Sequence, residues 1–142
     1  LAEGEVTIRR CNYDDIGAVL RLWSLARSQH ASRPDRREDI ECLIEGGPAA
    51  LLVAEAEEEV IGAVIAGWDG WRGNIYRLAI HQDHRRRGIG LRLTRAAESY
   101  FRDQGVERVT ALVAFDDEAA GSFWDSAGYP QDDKIGRRVR NI

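Results

Sequence analysis

The residues with the clearest chemical meaning are Arg85-Arg86-Arg87-Gly88-Ile89-Gly90. They follow an apolar segment, Ile75 to Ile80, and a short polar stretch, His81 to His84. A strand, a loop, a basic glycine turn and an amphipathic helix in that order make a site for an anion. The first turn of a helix leaves its N–H groups without intrahelical partners, and the macrodipole puts partial positive charge there. Gly88 and Gly90 carry no side chain, so a diphosphate can approach the backbone closely. Arg85, Arg86 and Arg87 add fixed charge and donors suited to phosphate. Two glycines one residue apart are common by chance, and basic residues before a helix can be a solvated face. The whole unit carries the inference.

Proton-transfer candidates lie nearby. Tyr76 is expected on the same strand face as Leu78 and Ile80, its hydroxyl lining a cleft; packing within the sheet is the competing reading. Asp69, in the turn Asp69-Gly70-Trp71-Arg72-Gly73, could orient or deprotonate an amine, or simply form the turn. His81 and His84 are of a residue type suited to proton shuttling but read as surface residues beside the glycine turn. Trp68 and Trp71 could wall an acceptor or pack in a hairpin. The three histidines (with His30) and the two cysteines, Cys11 and Cys42, show no CxxC or other ligand spacing, so no metal is expected.

The elements that must position these residues follow from periodicity and turn chemistry. Val6 to Arg9 reads as a strand. Asn12 or Asp14 can cap a helix with the apolar stripe Ile16, Val19, Leu20, Trp23 and Leu25, running to Arg27. Ile40, Leu43 and Ile44 mark a short second helix that ends at Gly46-Gly47-Pro48. Ala50 to Ala56 and Val60 to Trp68 form a hairpin, followed by a strand from Asn74 to Ile80. A helix from about Gly88 to Gly105 buries Ile89, Leu93, Ala96, Ala97 and Tyr100. Val106 to Ala114 is a strand. Asp116 to Ala127 is a helix with Ala120, Phe123, Trp124 and Ala127 inward, and the tail from Tyr129 supplies one or two last strands. This order predicts an α/β (α+β) sandwich, a mixed sheet of six to seven strands with about four helices, as one domain over residues 1–142.

Composition narrows the partners. The chain of 142 residues has 44% hydrophobic and 31% charged residues, a balance suited to a packed core. Apolar runs such as Val60 to Ala66 are too short to cross a membrane, and no secretory signal order opens the chain, so a cytoplasmic location is expected. The net charge of −4 argues against nucleic acid, although Arg85 to Arg87 with Arg137, Arg138 and Arg140 keep that reading as a distant third.

Arg85 to Gly90 resembles the Q/R-x-x-G-x-G/A signature of the GNAT N-acetyltransferase superfamily. Leu78-Ala79-Ile80 stands where that family's L-x-V strand precedes the loop. Asp117-Glu118-Ala119-Ala120 and Trp124-Asp125-Ser126-Ala127-Gly128-Tyr129 resemble its N-x-x-A and Y-x-x-x-G-F/Y segments, and the hairpin turn with its following strand is similar to the bacterial YpeA-type subgroup.

The resemblance implies the GNAT fold and a transfer of acetyl from acetyl-CoA to an amine. It implies a diphosphate on the amides of Arg86 to Gly90, with Arg85 and Asp117 in the same cofactor site. The pantetheine arm would lie along Leu78, Ala79 and Ile80, in a gap where this strand splays from the next, and an N–H near Ile80 would polarise the thioester. Four family positions differ, the first being Asp117 in place of the asparagine that opens the last helix. Trp124 replaces the tyrosine acid, and Asn74 and Leu112 stand where branches of the family carry a glutamate base. Tyr76 and Asp69 remain as catalytic candidates, with water as the main proton carrier. A CoA-binding regulatory module without turnover is the alternative. Acceptors from protein amines to aminoglycosides stay open, as does a homodimer.

Overall fold

The computed structural model describes residues 4–26 and 33–142. The end of the first helix expected at Arg27, and His30, lie outside the described residues. The chain divides into two compact units, residues 1–112 and 113–142.

In the first unit, β1 (Thr7–Arg10) runs into a reciprocal cap. The Asn12 side chain accepts from the Asp14 N–H, and the Asp15 carboxylate accepts from the Asn12 N–H, across a 3₁₀ turn at Tyr13–Asp15. From there α1 (Ile16–Leu25) buries Ile16, Val19, Leu22 and Trp23. Leu25, expected inward, is 77% exposed. At 100° per residue it lies on the opposite side of the helix from Ile16. α2 (Arg37–Glu45) buries Ile40.

The sheet contains β1, β2 (Ala50–Ala56), β3 (Glu59–Trp68), β4 (Gly73–Ile80) and β5 (Val109–Ala111), in that order across it. All neighbours are antiparallel except β4 and β5. That parallel pair needs a crossover, and α3 (Ile89–Asp103) supplies it. Side chains alternate across the sheet. Leu51, Val53, Ala63, Ile65 and Ala79 share a core with α1 and α2. On the other face, a Cβ at Gly62 would lie 3.0 Å from Leu93 of α3. Helices therefore cover both faces, as the α/β reading expects.

Among the described residues the sheet has five strands, not six to seven. The expected strand from Val106 to Ala114 keeps only Val109–Ala111; at its start the Val106 N–H is spent on the Phe101 carbonyl that closes α3. In the second unit, α4 (Glu118–Ala127) starts with Asp117 accepting from the Ala120 N–H and stops at left-handed Gly128. The tail beyond Tyr129 forms no strand; its apolar residues Ile135 and Val139 are exposed, and no alternating pattern gives it a face to bury.

Candidate active site

The site is built around an irregularity in β4. Ala63 pairs with Ala79 and Ile65 with Tyr76, so Arg77 and Leu78 together oppose the single residue Val64. This is a β-bulge, and Arg77 takes a left-handed φ of 58° within it. An extra residue reverses the side-chain alternation. Tyr76 and Ala79 both face the α1 side, whereas Ile80 turns to the α3 side, near Leu93. Tyr76 therefore does not share a face with Ile80, contrary to a straight-strand reading.

The bulge is held from α1. The Trp23 indole N–H donates to the Arg77 carbonyl at 2.9 Å, and the Arg77 guanidinium lies 5.3 Å from the same ring. Arg77 also forms an ion pair with Asp35. Beside it opens a pocket of about 360 Å³ with Trp23, Ile40, Leu43, Ile65 and Tyr76 in its wall. Arg33, Asp35, Arg36, Asp39 and Arg77 supply its charged groups. Burial pushes the Tyr76 phenol above its ordinary pKa.

Parallel pairing of β4 with β5 ends at Ile75 and Ala111. Tyr76 is the first β4 residue past that point, and Tyr76 to Ile80 continue without a β5 ladder. At the far end of β4 lies the basic turn. Arg86 and Gly88 have φ of 65° and 73°, and Gly88 is the N-cap of α3 without any side-chain cap bond. A Cβ on Gly88 would meet nothing within 4 Å, so the turn opens onto free space. Arg87 donates to the Gly4 carbonyl at 3.2 Å and contacts His84 Nδ1 at 2.7 Å, which ties the turn to the amino-terminal segment. His81 Nδ1 accepts from the Asp83 N–H and shapes the loop before it.

The remaining sequence candidates have structural partners. Asp69 Oδ1 accepts from the N–H groups of Trp71 and Arg72, both at 2.8 Å. Those bonds hold its carboxyl below the usual range, which suits a turn former and disfavours a base. Asn74 lies opposite Thr110 in the sheet, and Leu112 is exposed just past β5. Asp117 is engaged as the cap of α4. Trp124 is buried, with its ring 5.1 Å from both Phe123 and Tyr129 in edge-to-face contacts. No group of three His, Cys, Asp or Glu side chains among the described residues is placed to hold a metal ion. Sequence reasoning passed over Arg77 and Asp35, because nothing local marks a bulge whose left-handed residue is an arginine.

The sequence profile of the acetyltransferase (GNAT) family matches residues 17–129. An acetyltransferase of Sodalis glossinidius is 33% identical over 130 residues, covering 90% of this chain and 89% of that relative. Another from Pectobacterium atrosepticum is 34% identical over 136 residues, covering 93% and 94%. The fold is similar to AAC(6')-Iy, solved in complex with the bisubstrate analogue CoA-S-monomethyl-acetylneamine, with a TM-score of 0.81 at 14% identity over 97% of this chain and 99% of that one. It is also similar to an aminoglycoside acetyltransferase from an uncultured soil metagenomic sample, with a TM-score of 0.76 at 21% identity over 96% of each chain. Sheet order, profile and relatives agree: the chain belongs to the GNAT family of acetyltransferases.

Proposed function

We propose that this protein transfers an acetyl group from acetyl-CoA directly to a primary amine of a protein, a peptide or a small molecule. The observation that carries the reading is the left-handed turn at Arg86 and Gly88, opening α3 after the strand whose ladder with β5 ends at Ile75. That turn fits a diphosphate. Backbone N–H groups from Arg86 to Gly90 would hold it, with Arg85, Arg86 and Arg87 adding charge. Leu78, Ala79 and Ile80 would pair along the pantetheine arm, and Asp117 stands at the family's asparagine position.

Acetyl-CoA supplies the activated acetyl thioester. Main-chain N–H groups between the Arg77 bulge and Ile80 would polarise its carbonyl. An acceptor ammonium gives one proton to water before it attacks, and the C–N bond forms as the C–S bond breaks. The second amine proton also passes to solvent. Tyr76 would donate a proton to the departing sulfur and recover it from water. Its place in the pocket wall, past the end of the β5 ladder, supports this role; burial raises its pKa and so makes the phenol a weaker acid. Asp69, bound to two N–H groups in its turn, is the weaker of the two candidates.

Titration calorimetry with acetyl-CoA tests the site. Gly88→Ala and Gly88→Trp both strain a left-handed residue, but only the tryptophan fills the space outside the turn. Affinity should fall about tenfold further, ~1.4 kcal/mol, in Gly88→Trp than in Gly88→Ala. Equal affinities in folded variants would remove the diphosphate site from this turn. The buried Trp124 at the tyrosine position favours one second reading, a CoA-binding regulator. Binding of acetyl-CoA with no thiol release from any amine would favour it.

A further inference from the structure

We infer that the acceptor is an amine that carries its own carboxylate, a free amino acid or dipeptide with an apolar side chain, bound in the pocket beside Tyr76. The inference rests on the transferase reading above and adds the substrate class. Its first support is charge. Arg33 and Arg36 both turn to Asp39, at 3.4 Å and 3.2 Å, while Arg77 takes Asp35. Among the described residues, Arg33 and Arg36 thus share the one carboxylate of Asp39, so this rim of the pocket keeps a surplus positive charge.

That surplus is exchangeable. Arg33 and Arg36 are well exposed, and the Arg33 contact is long for a hydrogen bond. Exposed ion pairs of this kind contribute little, so an incoming carboxylate can replace Asp39 at small cost. Guanidinium groups present paired donors that match a carboxylate edge. Below them lies an apolar wall of Trp23, Ile40, Leu43 and Ile65. The volume of about 360 Å³ is near the lower end for ligand pockets and suits an amino acid or dipeptide. A polyamine or aminoglycoside would bring several positive charges to this rim and be repelled. The pocket's own carboxylates, Asp35 and Asp39, are already engaged by Arg77, Arg33 and Arg36.

The test follows thiol release from acetyl-CoA with L-phenylalanine, L-methionine, their methyl esters and spermidine. An ester's amine is less basic and offers more neutral amine at pH 7, so chemistry alone would favour the esters. The wild type should nevertheless prefer the free acids in kcat/KM. Arg36→Gln should raise KM for the acids by about tenfold and move the acid-to-ester ratio toward or below one. Asp39→Asn should lower that KM, an opposite sign that a general folding defect cannot produce. Acetyl-CoA affinity, measured for each variant by calorimetry, reports whether the fold survives. Turnover of esters or spermidine as good as that of the acids, or a ratio unmoved by Arg36→Gln, would overturn the inference and leave the transferase standing. An absence of thiol release with every amine would overturn the transferase reading, and this inference with it.

Discussion

The Trp23 indole N–H donates to the Arg77 carbonyl at 2.9 Å while the Arg77 guanidinium lies over the same ring. One aromatic side chain from α1 thus grips both the backbone and the side chain of the bulged residue in β4. A left-handed arginine costs on the order of 1–2 kcal/mol, so the bulge persists only because its surroundings demand it. Trp23→Phe keeps most of the ring and removes the donor. The Arg77 carbonyl then loses this part-buried bond, and stability should fall by about 1 kcal/mol in denaturant titration. A loss below ~0.5 kcal/mol would mean that the bond does not hold the bulge.

Gly67 makes room for Tyr76. A Cβ at residue 67 would stand 2.8 Å from Tyr76 Cε1 and 3.1 Å from its Oη, so Gly67→Ala must push the ring aside. If the phenol protonates the departing sulfur, Tyr76→Phe should lower kcat by about 10²-fold with acetyl-CoA affinity intact. Gly67→Ala should lower kcat in the same direction through displacement alone. Stopped-turnover assays and calorimetry separate the two effects. Full activity in Tyr76→Phe would return proton transfer to water.

The contrast between Gly88 and Arg77 shows where local sequence stops being informative. Gly88, without a side chain ahead of an apolar helical stripe, could be read as an open place at the helix start, and β2 runs from Ala50 to Ala56 as its apolar run and flanking turns require. Arg77 has a left-handed φ without glycine's freedom, because its conformation is imposed by Trp23, 54 residues away. The period of β4 was legible, but not the one-residue slip that turned Tyr76 toward α1. Asp35 and Asp39 were likewise unmarked in the sequence as parts of a site. Their meeting with Arg77 and Tyr76 depends on how α2 packs on the sheet.

Acid should loosen the base of α1 first. Asp15 receives two bonds from Arg9, at 2.7 and 2.9 Å, and one from the Asn12 N–H. The Arg9 bonds chiefly hold its carboxyl below the usual range, against the opposing effect of burial. A carboxylate whose folded pKa is depressed stabilises the fold above its unfolded pKa, about 3.9. That stability is lost as pH falls below 4 through the folded value. Asp15→Asn should therefore cost about 1–3 kcal/mol at pH 7 and flatten the acid limb of the stability curve. An unchanged slope below pH 4 would assign acid unfolding to other groups.

Trp124 occupies the position where the family's tyrosine is expected, and its neighbours decide what restoring that tyrosine would do. The indole is buried, with the rings of Phe123 and Tyr129 each 5.1 Å from it. Trp124→Tyr replaces two fused rings by one, leaving part of that space unfilled and setting a hydroxyl among aromatic neighbours. Stability should fall. If Tyr76 already serves as the proton donor, kcat should not rise with the new phenol, and the solvent isotope effect on kcat should be unchanged. Should turnover instead increase by about tenfold or more, the wild-type enzyme lacks an effective acid, and Tyr76 loses its assigned role.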